Sequence, residues 1–275
     1  MQKRNLRWVL IVVVVAIGLY QFFSEGEISD AVIPEPPVST LSQPDNETDT
    51  PATAGEEADG VEVTETPIEP TVAPSLMDSL EEPTGDFDFY VMALSWSPDY
   101  CASNDNNDPQ QCSIGKKLDF VLHGLWPQYD QGYPSYCSEE KMSYDLIDDF
   151  VGLYPSEKLY DHEWEKHGTC TGLSPEDYML WSQALKDSLE IPDAYDAPAE
   201  PFRTDAEGLS EAFVSENPDF LSDSFAVYCS GSGRFLKEIF VCFEKSGEPR
   251  SCGSEILGKA SRSCGQDSFL VRNTR

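Results

Sequence analysis

Apolar residues form one unbroken run near the N-terminus and shorter periodic segments beyond residue 86. Residues 8–20 contain no polar side chain, and they follow a start that holds Lys3, Arg4 and Arg7. A basic start followed by such a stretch is typical of a signal anchor, or of a signal peptide that is later cleaved. We therefore assign residues 1–23 to an anchor or signal and expect the following residues outside the cytoplasm.

Beyond residue 86 the pattern alternates between the two-residue period of strands and the 3.6-residue period of helices. Short alternating or apolar runs predict strands, and longer runs that begin at Ser and stop before Pro predict helices. Strands are expected at residues 87–96, 119–123, 225–229 and 235–243, and helices at residues 143–154 and 174–190. This mixture predicts an α+β domain.

Two of these segments also predict which residues face the core. The last helix has Ser174 as its N-cap and Pro175 at its first position, both favoured there. Its expected core stripe consists of Tyr178, Trp181, Leu185 and Leu189. Alternation in the first strand places on one face Phe87, Phe89, Val91 and Ala93.

Charge divides the chain into three zones. The formal net charge is −32, and all 17 charged residues from 25 to 86 are acidic. Nine prolines lie between Pro34 and Pro83. Because such a segment buries little apolar surface and its charges repel one another, residues 24–86 are expected to form a disordered, acidic, Pro-rich tether. Acidity of this degree excludes broad non-specific binding to nucleic acid, although one focused phosphate site is compatible with it.

All eight cysteines lie in the third zone, residues 87–275. In an exported chain, an even number of cysteines predicts disulfides, here four, formed in an oxidising compartment. The absence of a CxxC pair from the sequence argues against a zinc ribbon. Spacing alone leaves the pairing of the cysteines open.

The three histidines fall in two compact segments, HGLWP at residues 123–127 and HEWEKHGTC at residues 162–170. If the second segment is helical, Glu163 and His167 share one face, and His162 and Lys166 lie about 100° around it. A zinc site would need His-Glu-x-x-His, and here the second histidine comes one residue too late. Isolated surface or core histidines are a second interpretation. The compact setting favours a third, metal-free acid–base catalysis in which a cation stabilises negative charge.

Together the two segments resemble the active-site segments of the ribonuclease T2 family. They lie about 40 residues apart, and the resemblance extends to residues 90–96 and through the C-terminal cysteines. It covers residues 87–275 and looks closest to the bacterial, ribonuclease I-like branch. The resemblance implies the α+β fold of that family, with a central antiparallel sheet flanked by helices and held by four disulfides.

The resemblance also implies a role for each residue of the two segments. His123 matches the general acid that protonates the leaving 5′-oxygen, and His167 matches the general base on the ribose 2′-hydroxyl. Glu163 and Lys166 match the pair that stabilises the pentacovalent phosphorane. His162 matches a histidine that holds the phosphate. These roles need no metal or other cofactor, and none is expected.

Base recognition is implied at three further positions. Trp126 matches an aromatic residue of the first base pocket, and Tyr133 is assigned as its second stacking face. Gln128 stands where fungal members carry an acid, and Tyr160 replaces an aromatic residue that is commonly Trp. Low base specificity is expected because every base offers a face for stacking. DNA is not an expected substrate, because it lacks the attacking 2′-hydroxyl.

By the same resemblance, the disulfides are Cys101–Cys112, Cys137–Cys170, Cys229–Cys264 and Cys242–Cys252. The expected protein is a monomeric endoribonuclease that cleaves single-stranded RNA through a 2′,3′-cyclic phosphate. It is membrane-anchored with a periplasmic or extracellular catalytic domain, or secreted after signal cleavage. The alternative is a binding or signalling protein of the same fold with little turnover. Asp161, Glu163 and Glu165 are expected to favour the imidazolium form of the nearby histidines.

Overall fold

A computed structural model describes residues 79–104 and 106–275. The predicted anchor or signal, and residues 24–78 of the predicted tether, lie outside the described residues. The strands are β1 (Phe89–Trp96), β2 (Phe120–Gln128), β3 (Phe202–Thr204), β4 (Phe225–Ser230), β5 (Phe235–Glu244) and β6 (Phe269–Val271). The helices are α1 (Ser97–Ser103), α2 (Pro109–Cys112), α3 (Tyr144–Asp149), α4 (Lys158–Lys166), α5 (Pro175–Asp187), α6 (Ala206–Glu216) and α7 (Gly253–Ser263). Single 3₁₀ turns lie at Gly168–Cys170, Asp193–Tyr195 and Ser222–Ser224. Within the described ranges, no helix combines the length and the apolar character that crossing a bilayer would require.

The six strands form one sheet in the order β2-β1-β5-β6-β3, and β4 pairs with β5. Every pairing is antiparallel except the contact between β5 and β6, which is parallel and joins Phe235 to Leu270. The α+β prediction is confirmed, and the largely antiparallel sheet becomes mixed through this one contact. Strand β2 lies at the edge of the sheet, next to β1, and β5 lies on the other side of β1.

The predicted elements differ from the observed ones mainly at their ends, whereas six observed elements were not predicted: α1, α2, α6, α7, β3 and β6. Strand β2 runs five residues further than predicted, to Gln128, because it pairs with β1 along its whole length. The helix expected at residues 143–154 ends at Asp149. Gly152 has a φ of +93°, a left-handed conformation that cannot continue a right-handed helix. Helix α5 begins as predicted, since the Ser174 hydroxyl accepts the Asp177 N–H at 3.1 Å.

Strand β1 is buried on both faces, as expected for a strand inside a sheet covered by helices. Its residues Tyr90, Met92, Leu94 and Trp96 join the main core, together with the predicted stripe of α5. Phe89 and Val91 join a smaller core on the opposite face. Phe87 packs in the main core and not with Phe89, because β1 begins only at Phe89 and strand alternation does not extend back to it.

The last residues of the predicted tether, 79–86, pack against the catalytic domain. The Trp181 indole N–H donates to the Glu81 carbonyl at 2.7 Å, and Leu80 packs against the main core. The Gly85 N–H donates to the Thr171 carbonyl at 2.7 Å. The packed part of the chain therefore includes residues that composition alone assigns to the tether.

All four implied disulfides are present. Cys101 bonds to Cys112, Cys137 to Cys170, Cys229 to Cys264 and Cys242 to Cys252. No cysteine is left free.

The packing of residues 79–86 predicts a difference between two truncated domains. A domain that starts at residue 79 should be about 1–3 kcal/mol more stable than one that starts at residue 87. The shorter domain leaves the Trp181 N–H without its acceptor and uncovers the core surface under Leu80. Urea unfolding of both domains measures the difference. Equal midpoints and slopes would contradict the prediction.

Candidate active site

A bulge in the edge strand brings two functional side chains to one face of the sheet. The register of β2 against β1 shifts by one residue at His123. Leu122 and Leu125, three positions apart, are therefore both fully buried in the main core. His123 and Trp126 lie on the other face, where their rings meet edge-on with centroids 5.2 Å apart. Without the extra residue, strand alternation would point one of the two rings into the core.

Helix α4 carries the second segment to the same place. Trp164 and Tyr160 anchor the helix in the main core. The helix ends at Lys166, but the His167 N–H still donates to the Glu163 carbonyl at 3.0 Å, which continues the helical bonding by one residue. Glu163 and His167 therefore share a face, as the i,i+4 spacing predicts.

The residues after His167 fix the end of this helix. A Cβ at Gly168 would lie 2.4 Å from Cε3 of Trp164, so only glycine allows the chain to pass the indole here. The disulfide between Cys137 and Cys170 then joins this turn to the segment that follows β2. The Tyr136 N–H donates to the Lys166 carbonyl at 3.0 Å and adds a backbone link beside it.

The Glu163 carboxyl group lies at the centre of the site. Its side chain is only 1% exposed, and its Oε1 is 3.9 Å from Nε2 of both His123 and His162. The Trp126 indole N–H donates to Oε2 at 2.7 Å. A Cβ at Gly124 would lie 1.9 Å from Oε2, which explains the glycine after His123. The two predicted segments thus meet at one buried carboxyl group.

Burial controls the protonation of these groups. Desolvation raises the pKa of Glu163 to about 7, against the attraction of His123 and the hydrogen bond from Trp126. Burial, reinforced by the charges of Lys166 and His162, lowers the pKa of His167 to about 3. Burial and Lys166 also lower the pKa of His162. The expectation that nearby acids favour the imidazolium form is therefore wrong for His162 and His167, because desolvation outweighs those acids.

The three residues assigned to base recognition differ in exposure. The Trp126 ring is stacked on His167, with centroids 5.2 Å apart. Tyr133 is 55% exposed and lies 6.3 Å from the same imidazole. Gln128 is buried, and its amide contacts the Pro127 carbonyl at 3.2 Å. Trp126 and Tyr133 therefore lie at His167, whereas Gln128 points away from solvent.

Two polar residues that the motifs do not include also face His123. Nδ1 of His123 lies 3.5 Å from the Ser95 hydroxyl and 3.9 Å from the Glu238 carboxylate. Ser95 and Glu238 are direct cross-strand partners on β1 and β5. An acid inside the apolar strand at residues 235–244 is a sequence signal for Glu238, but its nearness to His123 depends on strand register.

The arrangement offers proton transfer and charge stabilisation in one cleft. Three imidazoles, one carboxyl group and the half-buried Lys166 lie within two short segments of chain. Over the described ranges, no group of three or more His, Cys, Asp or Glu side chains is placed to hold a metal ion. Neutral and charged imidazoles can act as base and acid, and an ammonium group can stabilise an anionic transition state.

Comparisons with known proteins match a region of the chain that contains both segments. The model of the family described as "Ribonuclease T2 family" matches residues 87–252. A ribonuclease of Aeromonas hydrophila is 40% identical over 202 residues, which are 70% of this chain and 88% of that protein. The chain belongs to the ribonuclease T2 family. Ribonuclease 1 of Arabidopsis thaliana is 28% identical over 221 residues, covering 67% of this chain and 91% of the plant protein.

The T2 fold is also seen in a solved structure. An RNase-related protein from Calystegia sepium superposes with a TM-score of 0.53 at 21% identity, covering 68% of this chain and 97% of that protein. The implied fold and the interpretation of the chain as a T2-type endoribonuclease are confirmed. The T2 match includes both histidine segments and ends at Cys252.

The raised pKa of Glu163 predicts a pH-dependent cost in stability. The folded carboxyl group keeps its proton up to about pH 7, whereas the unfolded one loses it near its ordinary pKa. Its contribution to stability is thus present at low pH and lost as the pH rises through 7. The free energy of unfolding of E163Q, taken relative to that of wild type, should therefore rise by up to about 3 kcal/mol between pH 5 and pH 8.5.

Urea unfolding of wild type and E163Q at the two pH values measures this gain. E165Q is the matched control, because Glu165 is half exposed and pairs with Lys141 at the surface. Its difference from wild type should be the same at both pH values. A difference between E163Q and wild type that does not change with pH would contradict the prediction.

Proposed function

We propose that this T2-type enzyme cleaves single-stranded RNA by metal-independent transesterification through a 2′,3′-cyclic phosphate. The observation that carries the proposal is the approach of His123 and His162 to the buried carboxyl group of Glu163, with His167 stacked on Trp126 in the same cleft. The nucleophile is the 2′-hydroxyl of the substrate, already adjacent to the phosphorus, so the protein needs only to move protons and stabilise charge. DNA lacks that hydroxyl and is not cleaved.

The two catalytic histidines suit opposite proton roles. His167 is buried and has a lowered pKa, so it is neutral, the form that a general base needs in order to accept the 2′-hydroxyl proton. His123 is more than one third exposed, and its Nε2 lies 3.9 Å from Glu163 in the cleft. Its exposure lets the ring reach the leaving group, where a protonated imidazole can act as the general acid on the 5′-oxygen.

The remaining groups act on the phosphate. Lys166 and His162 lie on the same helix and would contact the non-bridging oxygens, where an ammonium group lowers the cost of the extra charge. Glu163 has its pKa raised to about 7, so a large fraction of it is protonated at neutral pH. A protonated carboxyl group can donate a hydrogen bond to a phosphorane oxygen, which a carboxylate cannot do.

Base recognition relies on stacking in this proposal. Trp126 and the exposed Tyr133 provide aromatic faces at the cleavage site, and stacking on them does not distinguish strongly among bases. The buried amide of Gln128 leaves little for sequence-specific hydrogen bonding at that position. The proposed enzyme therefore has low base specificity.

Export is the second part of the proposal. The apolar segment at residues 8–20 would either anchor the chain in a membrane or act as a cleaved signal, and the catalytic domain would lie in the periplasm or outside the cell. The four disulfides support an oxidising compartment. We propose that the enzyme is monomeric and that RNA is its principal partner.

The decisive assay uses the full chain and a short single-stranded RNA in excess chelator. We expect cleavage with fragments that end in a 2′,3′-cyclic phosphate, and no cleavage where the scissile nucleotide is 2′-deoxy. H123A and H167A should each lose roughly 10²–10⁴-fold in kcat, the usual worth of one acid or base. E165Q should keep wild-type activity.

Three outcomes would contradict the proposal. Activity that disappears in chelator and returns with zinc would indicate a metal-dependent reaction. Cleavage of the 2′-deoxy substrate would exclude the substrate's own nucleophile. RNA binding without turnover would favour the alternative, a binding or signalling protein of the T2 fold.

The acidic tether predicts an unusual response to salt. Its 17 acids and the net negative domain repel RNA, so KM should fall or stay level as salt rises to about 0.2 M, whereas basic ribonucleases lose affinity.

A plain spacer predicts the same KM for the full chain and for a chain that lacks residues 25–78. A tether that competes for the cationic cleft predicts a lower KM for the shortened chain at low salt only. We expect the two chains to have the same KM, as a plain spacer predicts. A steep loss of affinity with rising salt would contradict both interpretations of the tether.

A further inference from the structure

A buried acid occupies the sheet face behind His123, and the reaction described above does not use it. The Glu238 side chain is 8% exposed, and its Oε2 lies 3.9 Å from Nδ1 of His123. Its cross-strand partner Ser95 places a hydroxyl 3.5 Å from the same nitrogen. The other ring nitrogen, Nε2, lies 3.9 Å from Glu163. The His123 ring therefore lies between two buried carboxyl groups, one on each side.

The strand geometry holds Glu238 in place. The register between β4 and β5 shifts by one residue, so that Tyr228 pairs with Glu238 while Cys229 pairs with Leu236. Lys237 is the extra residue of this bulge, and its ammonium group lies 2.6 Å from Glu238 Oε1. One carboxylate oxygen thus pairs with Lys237, and the other is directed at His123.

We propose that Glu238 is a positioning residue for His123. Together with Ser95, it holds the Nδ1 side of the ring so that Nε2 faces the cleft and Glu163. This inference rests on the proposed function, in which His123 is the general acid. Carboxylates that bind the far nitrogen of a functional imidazole commonly fix its tautomer and orientation. Removing such a partner changes proton transfer more than it changes substrate binding.

The charges around His123 support an ionised Glu238. Glu163 and Glu238 face the ring directly, and His162 and His167 are close enough for their charges to interact with it. Lys237 pairs with Glu238, and the charge of Lys166 acts on His162 and His167. Burial alone would raise the pKa of Glu238, but the attraction of His123 and Lys237 holds that pKa below its ordinary value. An ionised carboxylate at this position can only accept a hydrogen bond, so it orients the ring with an N–H on its Nδ1 side.

A purely structural ion pair between Lys237 and Glu238 is the competing explanation. It predicts that E238Q loses stability and that any loss of activity is the same for every substrate. A positioning role predicts a loss that depends on whether the leaving group needs a proton. It also predicts a shift in the basic limb of the pH–rate profile, which reports the general acid.

The test compares E238Q with E244Q in the full chain. Glu244 lies on the same strand but pairs with Arg250 at the surface, so E244Q controls for the loss of one acid from β5. The substrates are a dinucleotide, whose 5′-oxygen must be protonated, and a nucleoside 3′-(4-nitrophenyl phosphate), whose leaving group needs no proton. Circular dichroism and thermal unfolding establish that each variant is folded.

For E238Q on the dinucleotide we expect kcat to fall about 10- to 100-fold with KM within about twofold of wild type. The basic limb should move to lower pH by roughly half a unit to one unit, and the acidic limb should stay in place. On the nitrophenyl substrate the loss should be under about threefold. Equal losses on both substrates, or a basic limb that does not move, would overturn the inference.

A second variant decides the question if E238Q does not fold. Lys237 is 53% exposed, so K237M removes a surface cation and leaves the Glu238 carboxylate to His123 alone. The basic limb should then move to higher pH, opposite to E238Q, and an unmoved limb would overturn the inference. Failure of the proposed function is separate: it would appear as a wild-type chain that does not cleave RNA, or as H123A with full activity.

Discussion

The close approach of the Glu163 carboxyl group to the Gly124 backbone is the constraint on which the active site depends. The two histidine segments come from different elements, an edge strand and a short helix, and they touch at this point. Any side chain at residue 124 would occupy the space of the carboxyl group. The contact also sets the depth of the acid in the protein, and that depth determines its protonation.

Burying a carboxyl group costs several kcal/mol when it is charged, and the site offsets only part of this cost. The Trp126 indole supplies one hydrogen bond to it at 2.7 Å, and the two imidazoles lie at 3.9 Å. The core residues Trp164 and Tyr160 hold the helix in place against this cost. Stability is thus given up at the position where the proposed chemistry needs a proton donor, a trade-off common at active sites.

The two histidine segments and the family could be predicted from the sequence, because the residues that define each segment are close together in the chain. The sequence was not sufficient for Glu238, which reaches His123 only through the register of strands that lie more than 100 residues apart in the chain. It also gave the wrong direction for the pKa of His167. Nearby acids can be counted in a sequence, whereas desolvation depends on packing that only the folded chain displays.

Predictions from local sequence also failed where tertiary contacts determine the structure. Composition placed residues 79–86 in the tether, because three acids and one proline outweigh one leucine in any average. The fold uses Leu80 and the Glu81 carbonyl to cover Trp181. The predicted helix at residues 143–154 ends at Asp149, where Phe150 leaves helical geometry, and the left-handed Gly152 prevents it from continuing to residue 154.

The Cys137–Cys170 bond makes assembly of the cleft depend on where the chain folds. It joins the turn after His167 to a stretch between β2 and α3 that contains no helix or strand. In a reducing cytoplasm this link would not persist, and Tyr133 and Tyr136 would lose the covalent hold that keeps their segment beside Lys166. If the enzyme is exported, as proposed above, the segment that carries Tyr133 gains its covalent link to the cleft only after the chain has left the cytoplasm and its RNA.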